Sequence, residues 1–177
     1  MNTLEQILHR RSIRRFKAEL PSREAIEKIT EAGTYAPSGR GLQSGLILAI
    51  TNKELRDRIS AMNNVVWGGE EGFDPFYGAP AILVVLGKKE SAHKVYDGSL
   101  IMGNMMLAAD ALGLGTCWIH RAREVFETEE GKQILRDIER PVGSVRRTLL
   151  PSRQVHISVF CVEERPRTGR REFSKQY

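Results

Sequence analysis

The sequence contains little cysteine, and its cysteines form no recognisable site. Cys117 and Cys161 are the only two in 177 residues. They match no ligand spacing such as C-x-x-C, and two cysteines hardly make a disulfide framework in a chain of this size. We therefore expect no metal site and a reducing, cytoplasmic environment. Cys117 is expected to be a small buried residue rather than a reactive thiol.

Long hydrophobic runs are also absent. The most apolar stretch, residues 100–114, is shorter than the roughly 20 residues that a membrane-spanning helix needs, and it contains Asn104 and Asp110. Residues 1–14 are polar and show no apolar stretch followed by a small-residue cleavage site. We therefore expect neither a membrane partner nor a secretion signal.

The sequence lacks a Walker phosphate loop, zinc spacing and a convincing Ser-His-Asp set. Its net charge of +5 is local, because residues 10–17 contribute +5 and residues 165–177 contribute +4. A nucleic-acid-binding module should interleave aromatic residues with such clusters or show a reading helix, and neither segment does so convincingly. We expect no nucleic-acid partner, and a basic, non-enzymatic nucleic-acid-binding module remains an alternative.

Apolar periodicity and capping residues predict alternating helices and strands. Thr3 and Gln6 fit a capping box for a first helix, while Ser22 and Asn52 fit the starts of a second and a third. A helix over 96–112 is apolar nearly all round, so we expect it to be buried within the domain or within a dimer. We also predict a helix over 4–9 and an exposed helix over 124–138. Strands are predicted over 46–50, 81–86, 116–119 and 155–162, and residues 65–78 are predicted to form a lid-like loop.

This succession of elements predicts one domain over residues 1–177. Helices and strands alternate without the regular spacing of a doubly wound fold. The expected class is therefore α+β, with three α/β/α layers around a central sheet. A hydrophobic fraction of 41% supplies enough apolar surface for one such core.

An arginine-rich segment follows the first predicted helix. Arg10, Arg11, Ser12 and Arg14 stand at a helix-to-turn junction. Guanidinium groups pair with phosphate oxygens and a serine hydroxyl donates a further hydrogen bond, so this segment is a candidate phosphate site. A run of arginines is also typical of a solvated face.

Two further segments combine glycine with hydrogen-bonding or aromatic groups. In the first, small and turn-forming residues let the backbone approach a flat ligand, although an ordinary helix-to-strand loop has the same composition. In the second, glycines precede a strand whose aromatic and apolar side chains suit an aromatic ring, although such a tryptophan is also typical of a core. The candidate residues are Pro37, Ser38, Gly39, Gly41 and Gln43 in the first segment, and Trp118, Ile119 and His120 in the second.

Taken in order, four motifs resemble the nitroreductase family of FMN enzymes. They are RRSIRRF, APSGRGLQ, FYGAPAILVVL and YDGSLIMGNMMLAADALGLGTCWI, and the resemblance covers about residues 4–138. It implies an α+β fold with a mostly antiparallel or mixed sheet, assembled as a homodimer with FMN at the interface. It also implies electron transfer from NAD(P)H through FMN to nitroaromatics, quinones or similar acceptors by a ping-pong cycle.

The resemblance also implies roles for the candidate residues. Arg10, Arg11 and Ser12 would hold the FMN phosphate and ribityl chain, and Arg14 would lie by the pyrimidine edge and favour the reduced flavin electrostatically. The flavin itself would do the chemistry, with no catalytic side chain. Pro37, Ser38, Gly39, Gly41 and Gln43 would come from the partner subunit; Trp118, Ile119 and His120 would lie along the ring; and Arg167 would return to the phosphate.

The chain departs from the family pattern at two places. Gly41 stands where the family commonly has Asn, which removes a hydrogen bond worth on the order of 1 kcal/mol and loosens FMN binding. From about residue 139 the glycine-rich strand that the family pattern predicts is not recognisable. The assignment of Arg167 and Arg170 to the phosphate therefore rests on less of the family pattern than the other assignments do. Residues 155–162 are the candidate for the final strand, which would reach into the partner. A flavin-binding relative with specialised chemistry, or with none, is the alternative within the family.

Overall fold

The computed structural model describes residues 2–139, 153–154 and 159–164, with side chains for residues 2–138. From residue 23 to residue 127, α-helices and strands alternate along the chain, as the sequence predicts. The helices are α1 (Thr3–His9), α2 (Arg23–Thr34), α3 (Lys53–Trp67), α4 (Lys94–Ala111), α5 (Ala122–Glu127) and α6 (Glu129–Glu139). The strands are β1 (Leu46–Ile50), β2 (Ala81–Lys88), β3 (Leu114–Ile119), β4 (Arg153–Gln154) and β5 (Val159–Glu164).

The central sheet has the order β1-β2-β5-β3, and β4 pairs with one end of β2. Each pairing between these strands is antiparallel. β5 therefore lies inside the sheet of its own chain, between β2 and β3, rather than reaching into a partner. Of the strand predicted over 155–162, residues 155–158 lie outside the described residues.

Strand β2 is buried on both faces, which explains its uninterrupted apolar sequence. On one face, Ile82, Val84 and Leu86 pack in a core with residues of α3, α5 and α6. On the other face, Leu83 and Val85 pack in a core with residues of α2 and α4. Helices thus cover both sides of one antiparallel sheet, and the predicted three-layer α+β fold is confirmed.

The long helix α4 is buried on one side only. Ile101, Met102 and Met105 face the core, whereas Val95, Tyr96 and Leu100 are exposed. Within the described parts of the chain, no helix has both the length and the hydropathy that crossing a bilayer requires. The all-round apolar sequence of α4 therefore reflects one face packed on the core and one face on which Val95, Tyr96 and Leu100 are exposed.

Three local predictions are wrong in detail. The capping box of α1 is formed by Asn2 and Glu5, one residue before the predicted pair Thr3 and Gln6. Helix α3 continues to Trp67, so the predicted loop over 65–78 begins at Gly68.

The third correction concerns the helix predicted over 124–138. It is two helices, because the chain is extended at Thr128 and the Thr128 side chain accepts a hydrogen bond from the Gly131 N–H. It is also not simply exposed, because Val125, Phe126 and Ile134 are buried in the core.

Candidate functional site

The end of α1 is fixed to the C-terminal end of α4. Asp110 is buried there, the Gln6 side-chain amide donates a hydrogen bond to its carboxylate, and His9 Nδ1 lies 3.0 Å from the same oxygen. The apolar residues Leu4 and Leu8 point away from this contact and are exposed. The polar side of α1 therefore holds the helix against α4, and the arginines that follow the helix lie next to β3.

The arginine-rich segment pairs with β3. Ser12 forms a parallel bridge with Thr116, and the Ile13 N–H donates to the Thr116 carbonyl oxygen at 2.8 Å. Gly115 permits this contact, because a Cβ atom there would lie 2.9 Å from Cγ1 of Ile13. A glycine in the strand thus makes room for the segment to run alongside it.

Two arginines of this segment surround the buried thiol of Cys117. Burial raises the pKa of the Cys117 thiol above its ordinary value, and the guanidinium groups of Arg14 and Arg10 oppose that rise. The thiol is thus protonated at neutral pH, and the prediction of a buried rather than reactive cysteine is supported.

Two buried polar atoms beside β3 have no hydrogen-bond partner among the described residues. They are Nη1 of Arg10 and Oγ1 of Thr116. Buried polar atoms in proteins are nearly always satisfied, so this guanidinium nitrogen requires an acceptor from outside the described residues. Arg11 is engaged differently, because its Nη1 donates to the carbonyl oxygens of Leu8 and Arg10 at the end of α1.

An open cavity of about 260 Å³ lies next to this segment. Its wall combines two arginines with several aromatic rings, and no carboxylate of the described residues lines it. Trp118 presents part of its ring there and is 40% exposed. The lining residues are Arg14, Trp67, Phe73, Pro75, Tyr77, Cys117, Trp118, Ile119, His120 and Arg121.

Asp74 fixes the loop that supplies one wall of this cavity. Its carboxylate accepts hydrogen bonds from the Arg56 guanidinium, the Ser60 hydroxyl and the N–H groups of Phe76 and Gly78. Burial by itself would raise the pKa of Asp74, but these donors outweigh it and lower that pKa below its ordinary value. The loop is thus tied to α3 by a carboxylate that must be ionised.

Arg56 completes this attachment from α3. Its side chain is buried, its Nε donates to the Ala79 carbonyl oxygen at 2.8 Å, and its guanidinium lies over the Phe76 ring. One side chain therefore holds the loop at its middle, through Asp74, and near its end, through Ala79, which lies two residues before β2.

Arg121 closes another part of the cavity in a strained conformation. Its φ of 74° is left-handed, which costs roughly 1–2 kcal/mol for a residue with a Cβ. Its Nε donates to Asn63 Oδ1 at 3.3 Å, and its guanidinium carbon lies 5.2 Å from the centre of the Trp67 ring. Asn63 is fully buried and also donates to the His120 carbonyl oxygen.

The glycine-rich loop of residues 37–43 lies at the opposite end of α4. The Gly39 N–H donates to Asp97 near the start of α4, whereas the arginine-rich segment is held at Asp110. Thirteen residues of helix separate these carboxylates, or about 20 Å at 1.5 Å per residue. Within one chain the loop therefore cannot meet the arginine-rich segment around one small ligand.

The polar groups of this loop mostly bind one another. The Gln43 N–H donates to Ser38 Oγ at 2.8 Å, and the Gln43 side chain donates to the Ala36 carbonyl oxygen. Gly39 is packed against the His93 ring, where a Cβ atom would not fit. Gly41 has a φ of 64° and open space around it, so an Asn side chain would fit there.

The described residues thus separate the candidates into two groups. The first group meets at β3 and the cavity; the second lies at the start of α4; Arg167 and Arg170 lie outside the described residues. Trp67, Phe73, Tyr77 and Arg121 also line the cavity and were not singled out from sequence, although the loop over 65–78 was. The first group is Arg10, Ser12, Arg14, Trp118, Ile119 and His120, and the second is Pro37, Ser38, Gly39, Gly41 and Gln43.

Comparison with known proteins identifies relatives over most of the chain. The model of the Nitroreductase family matches residues 7–67 and 69–140. An Escherichia coli (strain K12) protein named "Putative NAD(P)H nitroreductase YdjA" is 31% identical over 158 residues, covering 76% of this chain and 85% of that protein.

Solved structures share the fold. A nitroreductase with bound FMN from Bacteroides fragilis NCTC 9343 superposes with a TM-score of 0.80 at 23% identity, covering 100% of this chain and 95% of that one. A nitroreductase with bound FMN from Desulfitobacterium hafniense DCB-2 gives a TM-score of 0.78 at 25% identity, covering 99% and 95%.

The carboxylate of Asp74 should make stability dependent on pH. Asp74→Asn should lower the free energy of unfolding by about 2 kcal/mol at pH 7, because the buried Arg56 guanidinium loses a charged partner. The pKa of Asp74 is lowered in the folded protein, so its stabilisation is present above the ordinary carboxyl pKa of about 4 and is lost as the pH falls through the lower folded value. Urea unfolding followed by tryptophan fluorescence at several pH values measures this difference.

Asp57→Asn is the matched control, since Asp57 also pairs with Arg56 but is part of α3 and does not hold the loop. It should cost less than about 1 kcal/mol, as expected for a more exposed pair. An equal loss in both variants, or a difference at Asp74 that is unchanged below pH 4, would show that Asp74 does not fix the loop as an ion.

Proposed function

Because the chain belongs to the nitroreductase family, we propose that it is an NAD(P)H-dependent oxidoreductase that carries FMN and reduces small electron-poor acceptors. Nitroaromatics and quinones are the acceptor classes that the cavity suits best, because its wall is aromatic and electropositive. We further propose that residues 1–177 act as one domain.

The observation that carries this proposal is the contact between the arginine-rich segment and β3. The pairing of Ser12 and Ile13 with Thr116 brings Arg10 and Arg14 beside the strand that bears Trp118. Cationic groups for a phosphate and an apolar wall for a flat ring therefore adjoin each other. A cofactor with an anionic tail and a planar head, such as FMN, fits this arrangement.

The hydrogen-bonding groups of the arginine-rich segment also fit FMN. The buried Arg10 Nη1, which has no partner among the described residues, requires an acceptor, and a phosphate or a hydroxylated chain supplies several. Arg10 and Ser12 would hold that part, Arg14 would lie at the ring, and Trp118, Ile119 and His120 would border it. When bound, FMN would supply the chemistry, taking hydride from the nicotinamide and passing electrons to the acceptor.

The chain's own residues would position the two substrates and exclude water. The loop after α3 borders the cavity on one side, opposite the residues that would border the flavin. Donor and acceptor would use the space beside this loop in turn, as a ping-pong cycle requires. Phe73, Pro75 and Tyr77 form the wall that each would contact, and Asp74 keeps that wall in place.

We also propose that the protein is a homodimer. Tyr96 and Leu100 of α4 and Leu4 and Leu8 of α1 are large apolar residues that the single chain leaves exposed, and exposed patches of this kind mark interfaces. Residues 37–43 lie too far from the arginine-rich segment of their own chain to share a ligand with it. A second chain packed on α4 is the geometry in which that loop could reach the neighbouring cavity.

A direct experiment tests this function. Purified protein should show a flavin absorption spectrum or acquire one with added FMN, and NADH or NADPH should bleach it in the absence of oxygen. Steady-state rates with a nitroaromatic or a quinone should give parallel double-reciprocal lines, as a ping-pong cycle requires. A protein that binds no FMN would overturn the proposal, and FMN binding without turnover of any acceptor would leave a flavoprotein that is not a general reductase.

Gly115→Ala should weaken FMN binding about tenfold, which corresponds to about 1.4 kcal/mol. The added Cβ would collide with Ile13 and push the arginine-rich segment off β3. Flavin fluorescence quenching on titration of the protein into FMN measures the affinity.

Ile13→Ala provides the control for this prediction. With Cγ1 and Cγ2 of Ile13 removed, the same glycine substitution should change the FMN affinity by less than about threefold, because the closest contact, at 2.9 Å, is gone and only Cβ at 3.2 Å remains. Equal effects in both backgrounds would indicate that Gly115 acts on the strand rather than through Ile13.

Leu100→Lys should convert the dimer to a monomer, because it places a charge on the exposed apolar face of α4. Sedimentation equilibrium should give about twice the chain mass of 20.0 kDa for the unmodified protein and the chain mass for the variant. Val65→Lys, at an even more exposed apolar residue of α3, is the control and should remain dimeric. A monomeric unmodified protein would contradict the proposed assembly.

A further inference from the structure

Arg121 adopts a backbone conformation that its side chain makes costly. It lies two residues after the end of β3 and directly before α5, its φ is 74°, and its side chain makes no capping hydrogen bond to that helix. Glycine would adopt this conformation freely. Strain of this kind concentrates at functional sites, where the surrounding structure maintains it. The backbone conformation favours glycine at this position, so the presence of arginine points to a role for its side chain.

The guanidinium of Arg121 is held in place at the cavity. Asn63, which is fully buried, accepts from Nε and at the same time donates to the backbone of His120. The Trp67 ring supports the guanidinium face at 5.2 Å. This arrangement fixes the direction of the side chain and leaves the terminal nitrogens Nη1 and Nη2 without a protein acceptor among the described residues.

No carboxylate in the described part of the chain pairs with Arg121, and none lines the cavity. The charged groups that face the space are the guanidinium groups of Arg121 and Arg14, and the rest of the wall is largely aromatic. Positive charge in a cleft with apolar walls attracts anions strongly, because the field is poorly screened there. A guanidinium fork also matches the two oxygens of a carboxylate or sulfonate.

We propose that Arg121 selects, among electron-accepting substrates, small aromatic compounds that carry a negative charge. Its guanidinium binds the anionic substituent while the aromatic wall, including Phe73 and Tyr77, contacts the ring. This inference rests on the proposed function, in which Arg14 lies at the cofactor and leaves Arg121 as the cation that faces the acceptor.

The same cation could instead bind a phosphate of the nicotinamide donor. The two sources of negative charge differ in a measurable way. Loss of Arg121 should leave the ratio of kcat/KM for NADPH and NADH unchanged if the anion is part of the acceptor. A variant that loses NADPH use but keeps its preference among acceptors would overturn the proposal.

Arg121→Gly is the main test variant, because it removes the charge and also relieves the backbone strain, so folding is preserved. The FMN-loaded enzyme is assayed with 4-nitrobenzoate and with 4-nitrobenzamide, which differ in charge but little in size. The ratio of kcat/KM for the anion over the amide should fall about tenfold in the variant. Comparing ratios between proteins removes the intrinsic difference in reactivity of the two acceptors.

Arg121→Lys is the matched control, since it keeps the charge and should retain most of the anion preference. Binding provides a second readout that does not need turnover. Benzoate should bind the FMN-loaded protein more tightly than benzamide, as measured by tryptophan fluorescence, and Arg121→Gly should weaken benzoate about tenfold while benzamide is unaffected. Equal losses for both ligands, or none, would show a structural role for Arg121 and overturn the proposal.

These outcomes are distinct from failure of the proposed function. A protein that binds no FMN shows no flavin spectrum, and this outcome contradicts the proposed function whether or not benzoate binds. A protein that reduces 4-nitrobenzamide normally but shows no dependence on Arg121 keeps its function and loses only this specificity.

Discussion

The docking of the arginine-rich segment on β3 is the constraint on which the candidate site depends. One backbone hydrogen bond, from Ile13 to Thr116, fixes the register between them, and the missing Cβ of Gly115 allows the close approach. Without this contact Arg10 and Arg14 would lie in a turn exposed to solvent, as most runs of charged residues do. With it, they stand beside a strand that carries an aromatic wall.

The wall opposite β3 depends on a different kind of contact. The loop after α3 contributes few core residues besides Phe76, so its position is set by polar groups that converge on Asp74 and by the buried Arg56. Hydrogen bonds to a charged group are stronger than neutral ones, and they also fix direction. A short polar network can therefore shape an aromatic surface that has little apolar packing beneath it.

Much of this fold could be predicted from the sequence. The strand Leu46–Ile50 and the caps Ser22 and Asn52 follow from apolar patterns and side-chain chemistry that act locally. The break at Thr128 was missed because an amphipathic pattern continues across it and only the local hydrogen bonding of the threonine ends the helix. The exposed half of α4 was not predictable from composition, since an apolar face looks the same whether its own chain or another molecule covers it. Arg121 gave no signal either, because its position depends on a backbone angle and on Asn63, far away in the sequence.

The double burial of β2 has a consequence for how such a protein can change over generations. The loop and α3 pack on one face of the strand, while α4, with its open apolar side, packs on the other. The part of the cavity wall that the loop supplies thus lies on one side of the sheet, and the exposed apolar face of α4 lies on the other. Substitutions that change which acceptors fit against this part of the wall can therefore accumulate without disturbing the packing of α4.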